Sequence, residues 1–298
     1  MKIKKNQNPC RWLYLLSFVL FSIQLNAQEM NIRGTLDWER MEYSAVISLN
    51  LQKAGIKLPA GRSQAEALLE DEFPELIRPV LMELQVDSSS TVADLINRGE
   101  LFPTVFMGKT RSVPPALSPD LITILSRYSV NLTGISAELV GHSRIQRASP
   151  PLVPAPVNSY TGIIIIADEN LPVHGKNVSA RAVPCFFPRI WDHEMNLIYE
   201  RTMIDPGISR ETGTVRYVSR EKIMRANPSS LDRDLVKRVG ENPLRIVARG
   251  LFGVMPTDPI IDKEDALLIL SSENNRRLLS EGRIAIVLDK KELTRNMP

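Results

Sequence analysis

Cysteine and histidine are scarce in this chain, and their scarcity removes several chemistries at once. Only two of the 298 residues are cysteine and three are histidine. Cys10 precedes the apolar run Leu13 to Leu25, so Cys185 is the one cysteine after it. An intrachain disulfide within the body of the protein is therefore excluded, and stability has to come from burial. Cys185 sits in the apolar stretch Ala182-Val183-Pro184-Cys185-Phe186-Phe187, the setting of a buried small hydrophobe. His142, His174 and His193 are scattered, and none has a second metal-type residue at helical or turn spacing. Neither standard glycine-rich phosphate loop occurs. The sequence thus provides no metal ligands, no cofactor-binding residues and no catalytic residue to name.

An excess of charge of one sign is also missing. Lys and Arg number 37 against 34 Asp and Glu. Four of the basic residues (Lys2, Lys4, Lys5, Arg11) lie in the first 27 positions, which hold no acid, so the remainder carries 33 basic against 34 acidic side chains. A nearly neutral body gives no electrostatic footing for nucleic acid, whose binders cluster cations to release phosphate counterions.

What is present begins at the amino terminus. A basic lead, the uncharged run LYLLSFVLFSIQL and the small residue Ala27 have the layout of a secretory signal peptide cleaved after Ala27. The run falls short of the roughly 20 apolar residues a membrane-crossing helix needs. No lipid-bearing cysteine follows it. The expectation is an exported chain, in the periplasm or outer cell envelope, with no transmembrane segment once mature.

The mature length of about 270 residues suits one large or two ordinary domains. Residues 150–156 (Pro-Pro-Leu-Val-Pro-Ala-Pro) hold four prolines and can join neither a helix nor a sheet interior. We read the chain as a signal peptide at 1–27, a domain at 28–149, a proline-rich connector at 150–156 and a second domain at 157–298. In the first, Tyr43 to Leu51 alternates as a half-buried strand, with Ile32 to Trp38 as its hairpin partner. Ser63 and Glu66 have the spacing of a capping box, followed by apolar Ala65, Leu68, Leu69, Phe73 and Leu76. Pro74 and Pro79 predict a break in that helix. Residues 91–98 read as a short helix stopped by Gly99, and Ile122 to Val130 as a returning strand.

In the second domain, four consecutive isoleucines (Ile163 to Ile166) suit a strand covered on both faces. A strand pair is expected at Val178–Val183 and Asn196–Tyr199, with Asp192 to Met195 near the bend. Asn242 to Ala248 reads as extended, Asp262 caps a helix at Lys263 to Leu270, and a second helix spans Asn274 to Glu281. Arg283 to Asp289 is a closing strand. Without a regular βαβ rhythm, the fold class is α+β, as two mixed modules.

Two partial matches to a nucleophile elbow occur, Gly61-Arg62-Ser63-Gln64-Ala65 and Gly141-His142-Ser143-Arg144-Ile145. The second fails because the strained turn needs small residues after the serine. The first is better explained by helix capping. Asn131-Leu132-Thr133 and Asn177-Val178-Ser179 fit the glycosylation pattern, which matters only in a eukaryotic secretory pathway.

An ordered string of short elements in the second half carries a family likeness. It runs from Ser159-Tyr160-Thr161-Gly162 into the isoleucine strand and Ala167-Asp168. Next come Ala182-Val183-Pro184 through Phe187-Pro188-Arg189-Ile190-Trp191-Asp192 and then Asn196-Leu197-Ile198-Tyr199. Gly240-Glu241-Asn242-Pro243-Leu244 and Glu273-Asn274-Asn275-Arg276-Arg277-Leu278-Leu279 precede the last strand. Over about 130 residues this resembles bacterial cell-envelope proteins related to the Lpp-twenty lipoproteins and to flagellar assembly protein T. The first half looks like the amino-terminal module of the same group. In that group the first strand usually ends in Asp-Ala-Arg-Gly, where this chain has Ala167-Asp168-Glu169-Asn170. The resemblance implies an envelope address and envelope or flagellar protein partners, and it brings no catalytic residue. The functional expectation is a non-enzymatic, exported accessory that binds protein. The competing readings are a periplasmic serine hydrolase using Ser63 or Ser143, and a glycan- or ligand-binding module with a cleft lined by Trp191 and Tyr199.

Overall fold

A computed structural model describes residues 30–100, 109–223 and 232–297. The leader read at 1–27, with Cys10, lies outside them. Among the described residues no helix is long and apolar enough to cross a membrane.

Met30–Asp37 (β1) and Glu42–Asn50 (β2) form an antiparallel hairpin with Leu36 opposite Tyr43. The Asp37 carboxylate closes the turn by accepting from the backbone N–H groups of Glu39 and Arg40 at 2.9 and 3.0 Å. Tyr43, Ala45, Ile47 and Leu49 point inward, as the alternation required. The Tyr43 ring lies over Gly34, where a Cβ would meet the phenol oxygen at 2.1 Å, so that position has room only for glycine.

Arg62–Met82 (α1) covers this inner face with Ala65, Leu69, Phe73, Ile77, Val80 and Leu81. Phe73 stacks on Tyr128 with centroids 4.3 Å apart. Two expectations fail here. The N-cap is Gly61, without a side-chain cap, so Ser63 sits exposed in the first turn and Arg62 takes the Glu66 carboxylate at 2.9 Å. The helix also runs unbroken through Pro74 and Pro79. Each interior proline costs about 3 kcal/mol, but Pro79 is exposed and Pro74 only half-buried, so the disrupted backbone faces away from the sheet. Burial of the six-residue stripe outweighs the cost.

Val92–Asn97 (α2) is the helix with a true capping box, between Thr91 and Asp94, and Gly99 ends it at φ +72°. Lys109–Leu117 (β3) and Thr123–Asn131 (β4) complete this half, and the Asn131 side chain caps Leu132–Glu138 (α3) through the Thr133 N–H.

The second half contributes strands Ile163–Ile166 (β5), Leu171–Pro172 (β6), Ser179–Ala180 (β7), Ile190–Asp192 (β8), Leu197–Tyr199 (β9) and Arg216–Ser219 (β10). Leu244–Val247 (β11), Gly250–Phe252 (β12), Asp258–Ile261 (β13), Ile284–Leu288 (β14) and Thr294–Met297 (β15) follow. Its helices are Pro206–Thr212 (α4), Arg220–Ile223 (α5), Arg233–Val239 (α6), Lys263–Leu270 (α7), Glu273–Ser280 (α8) and Lys290–Leu293 (α9). The fold is α+β in two modules.

A four-stranded parallel sheet, ordered β10-β14-β5-β11, forms the centre of this half. Its isoleucine strand is covered on both faces, as β-branching and the unbroken apolar run implied. Ile163 and Ile165 join the main core, while Ile164 packs with Val218, Leu235 and Val239 on the other side. The strand pairing at 178–199 needs correction. The bend does fall at Asp192–Met195, where the Asp192 carboxylate accepts from the N–H groups of Glu194 and Asn196. However, β9 pairs with β8, and the 178–183 stretch contributes only β7, paired with β6. A local Asx turn with Met195 at φ +62° makes a tight hairpin, which leaves the distant segment no place. Asp262 stands at the N-cap of α7, but its carboxylate is held by Arg249 at 2.7 Å and makes no cap bond.

The unbroken α1 gives a test. Replacing Pro74 by alanine restores a backbone donor in a helix interior and should stabilise the chain by roughly 1–3 kcal/mol. The measurement is the thermal midpoint of unfolding. A fall would mean that the ring's packing is worth more than the helix gains.

Candidate docking site at the seam of the two halves

The site is built where the second half returns to the first. Trp38, just beyond β1, is buried against Phe186 at 5.1 Å and edge-on to Tyr217 at 6.1 Å. Backbone bonds cross the seam beside these rings. Phe186 and Phe187 donate to the carbonyls of Gln85 and Val86 at 3.1 and 2.9 Å. Met255 donates to Ser88 at 2.9 Å, and Trp38 to Leu293 at 2.9 Å. The Glu39 carboxylate accepts from the Ser219 N–H at 3.0 Å and pairs with Lys222 at 3.4 Å. Finally β15 lies antiparallel to β1, with Arg295 opposite Leu36, so the sheet of the first half is ordered β15-β1-β2-β4-β3. Residues 150–156 form no regular secondary structure.

The two edges of that sheet differ. On β3 the register shifts twice between Arg111 and Ala116, where Pro114 and Pro115 stand. Bulges and prolines blunt an edge against pairing. By contrast, β15 is regular over four residues, exposed at Thr294, Arg295 and Asn296, and unpaired on its free side among the described residues. A groove of about 100 Å³ adjoins it, walled by Leu36, Trp38, Leu84, Pro184, Met255 and Met297, with Glu83, Gln85 and Arg295 also on its lining. Small-molecule pockets run about 300–1,000 Å³, so this groove has room for a side chain and not for a drug-sized ligand. Met255 is 39% exposed at its wall. Arg295 lines the same groove and pairs with Glu292.

Several charged groups around the seam are paired. At the carboxyl ends of the parallel strands, both oxygens of Asp168 meet the Arg220 guanidinium, which also reaches Glu169 at 3.2 Å. That hydrogen bond to Asp168 raises the Arg220 pKa further. Arg181 pairs with Asp289 beside them. Asp258 is fully buried and accepts from the Thr257 hydroxyl at 2.7 Å and the Arg189 N–H at 3.2 Å. Burial lifts its carboxyl above the usual aspartate range despite those bonds. Cys185 is buried, with its backbone N–H and carbonyl both bonded to the Tyr217 hydroxyl, and burial pushes its thiol up.

Residues singled out in the sequence lie far apart in role. Ser63 is exposed on α1 and Ser143 is exposed in the chain leading to the connector. His142 bonds the Ile204 carbonyl through Nε2 at 2.9 Å, His174 lies near the Phe252 ring, and His193 is exposed in the β8–β9 turn. Among the described residues, no group of His, Cys, Asp and Glu could hold a metal. Trp191 packs on Phe252 at 5.4 Å, but Tyr199 is wholly buried with its hydroxyl on the Thr214 carbonyl, so the two line no common cleft. Of the glycosylation-pattern asparagines, Asn131 is the α3 cap and Asn177 is exposed. The sequence reading missed β15 altogether. Its residues, Thr-Arg-Asn-Met, alternate nothing apolar, and only the preceding Asp289 cap of α9 hints that the chain turns back.

Two family models match this chain. Residues 29–138 match the one described as Treponema pallidum Tp0624, N-terminal domain. Residues 162–290 match Treponema pallidum Tp0624, second domain. The chain is therefore similar to Tp0624 over two consecutive modules, in the same order. No curated protein matches it. The intervening stretch 139–161 and β15 both fall outside the matched residues.

Asp258 gives a pH test with a definite sign. With its folded pKa raised, the folded chain takes up a proton before the unfolded one as pH falls through the raised value, so this group adds stability on acidification toward the ordinary aspartate range. Asp258→Asn removes that contribution. The stability of the variant minus that of the parent should become more negative from pH 7 to about pH 4, as measured by denaturant unfolding. A difference that stays constant or becomes more positive would contradict the assignment.

Proposed function

We propose that this chain is an exported, non-enzymatic accessory of the bacterial cell envelope that holds another protein by adding one of its strands to β15. The observation that carries the reading is the regular free edge beside a largely apolar groove of side-chain size. An extended partner would pair with the edge while one alternate side chain entered the groove, the mode in which main-chain bonds supply affinity and pockets supply selectivity. The leader supports the export, and the likeness to Lpp-twenty lipoproteins and flagellar assembly protein T supports an envelope or flagellar partner.

The magnitudes limit what the edge does alone. A net hydrogen bond contributes about 0.5–1.5 kcal/mol, and burying one aliphatic side chain about 1.5–3 kcal/mol. Half of the backbone groups on a four-residue edge face outward, so the sum reaches only a few kcal/mol before the cost of association. A partner held here must also touch the surrounding seam.

A photo-crosslinking residue at position 296, introduced in the producing bacterium, should trap one discrete protein adduct in the envelope fraction. Met255→Glu, which places a charge in the groove wall, should reduce that adduct at least tenfold. An adduct that survives Met255→Glu unchanged would sink the strand-docking mode. The same fraction should contain a chain beginning after Ala27, and uncleaved protein confined to the cytosol would overturn the address.

A further inference from the structure

A second feature uses different residues and different chemistry. Between the chain entering the connector and α8 lies a cavity of about 690 Å³, within the size range of small-molecule sites. Arg147 reaches it from the first side, Arg276 and Arg277 from α8, and Glu273 is the one carboxylate among its lining residues. Asn274 and Ser280 add uncharged polar groups.

The wall is built, not incidental. Buried Asn275 accepts from the Tyr160 N–H at 3.1 Å and donates to the carbonyls of Asn158 and Leu268, both at 2.9 Å. The Ser271 hydroxyl accepts from the Ala155 N–H at 3.0 Å. These bonds hold residues 155–160 against Ser271 and α8, and on the other side the Gln146 N–H, next to Arg147, donates to the Thr202 carbonyl at 2.9 Å. Arg276 is anchored by the Leu270 carbonyl, a neutral partner that leaves its charge uncompensated. Arg277 pairs with Glu281 at 3.1 Å while remaining mostly exposed. Arg147 has no ion pair among the described residues.

We infer that this cavity binds a small anion bearing phosphate or clustered carboxylate groups. Guanidinium forks match both oxyanions, often two bonds at a time. The concentration of positive charge is local, because the chain beyond the leader is close to neutral.

Calorimetric titration of the mature chain with pyrophosphate and with citrate, at matched ionic strength, tests this. At least one should bind saturably at one site, and Arg147→Glu combined with Arg277→Glu should weaken it tenfold or more. Both residues are exposed, so the fold should survive. Arg78→Glu, on α1 and outside the cavity, serves as the charge control and should leave binding unchanged. Absence of saturable binding by both anions, or equal affinity in the double variant, overturns the inference. Co-sedimentation with phosphatidylglycerol vesicles without binding of either soluble anion also overturns it, because the cationic surface would then be reading a lipid headgroup.

Discussion

Everything in this architecture depends on the pairing of β15 with β1. The sheet of the first half is not complete within that half, since its edge strand arrives from residues 294–297. Trp38, at the end of β1, is then enclosed by Phe186 and Tyr217, which the second half delivers. The main core is accordingly continuous across both halves. Pulling them apart would expose a buried tryptophan and leave the carbonyls of Gln85, Val86 and Ser88 without their seam donors. Large aromatic burial is worth several kcal/mol, and an unsatisfied buried polar group costs about 1–3 kcal/mol. Against a typical net stability of about 5–15 kcal/mol, separation amounts to unfolding. The proline-rich stretch therefore does not set how the halves meet. Ala155 within it is held by the Ser271 hydroxyl, and Asn275 of α8 holds Asn158 and Tyr160 just beyond it.

The inner face of the first sheet carries a cost that this seam helps offset. The hydroxyls of Tyr43, Ser126 and Tyr128 are buried there without a hydrogen-bond partner. Each sits on a strand position that alternation commits to the core, and the tyrosines repay it with ring contacts, over Gly34 and against Phe73. An unbroken α1 is what keeps water from this face. That explains why a helix with two interior prolines persists: a break at Pro74 would uncover Phe73 and Ile77.

Legibility in the sequence followed the range of the interactions involved. Patterns that decide themselves locally were readable: the alternation of β2, the four isoleucines of β5, the Gly99 stop, the helix at 263–270, and, one residue along from its observed place, the helix read at 274–281. Rules that weigh one local preference against another misled. Ser63 had the spacing of a cap, but Arg62 captured Glu66 and Gly61 took the N-cap. Pro74 had the chemistry of a breaker, but the stripe beneath it was worth more. Pairings between distant segments left no mark at all. Nothing in Leu197–Tyr199 distinguishes β8 from the 178–183 stretch as its partner, and the parallel order β10-β14-β5-β11 has no sequence rhythm to announce it. The docking edge is the extreme case, a polar four-residue strand whose only meaning is what it lies beside.

The similarity to Tp0624 bears on the two binding features in different ways. The matched residues stop at 290, short of β15, and omit 139–161. The free edge therefore belongs to a part of this chain that the likeness does not cover, although both walls it leans on, β1 and Met255, are covered. The cavity is divided likewise: Arg276 and Arg277 are inside the second match and Arg147 is outside both. In each case the matched modules supply a scaffold, and an unmatched segment laid against it creates the site. Both proposed sites thus lie where an unmatched segment is laid against a matched one, since a sheet or helix alone offers neither a bounded groove nor a facing charge.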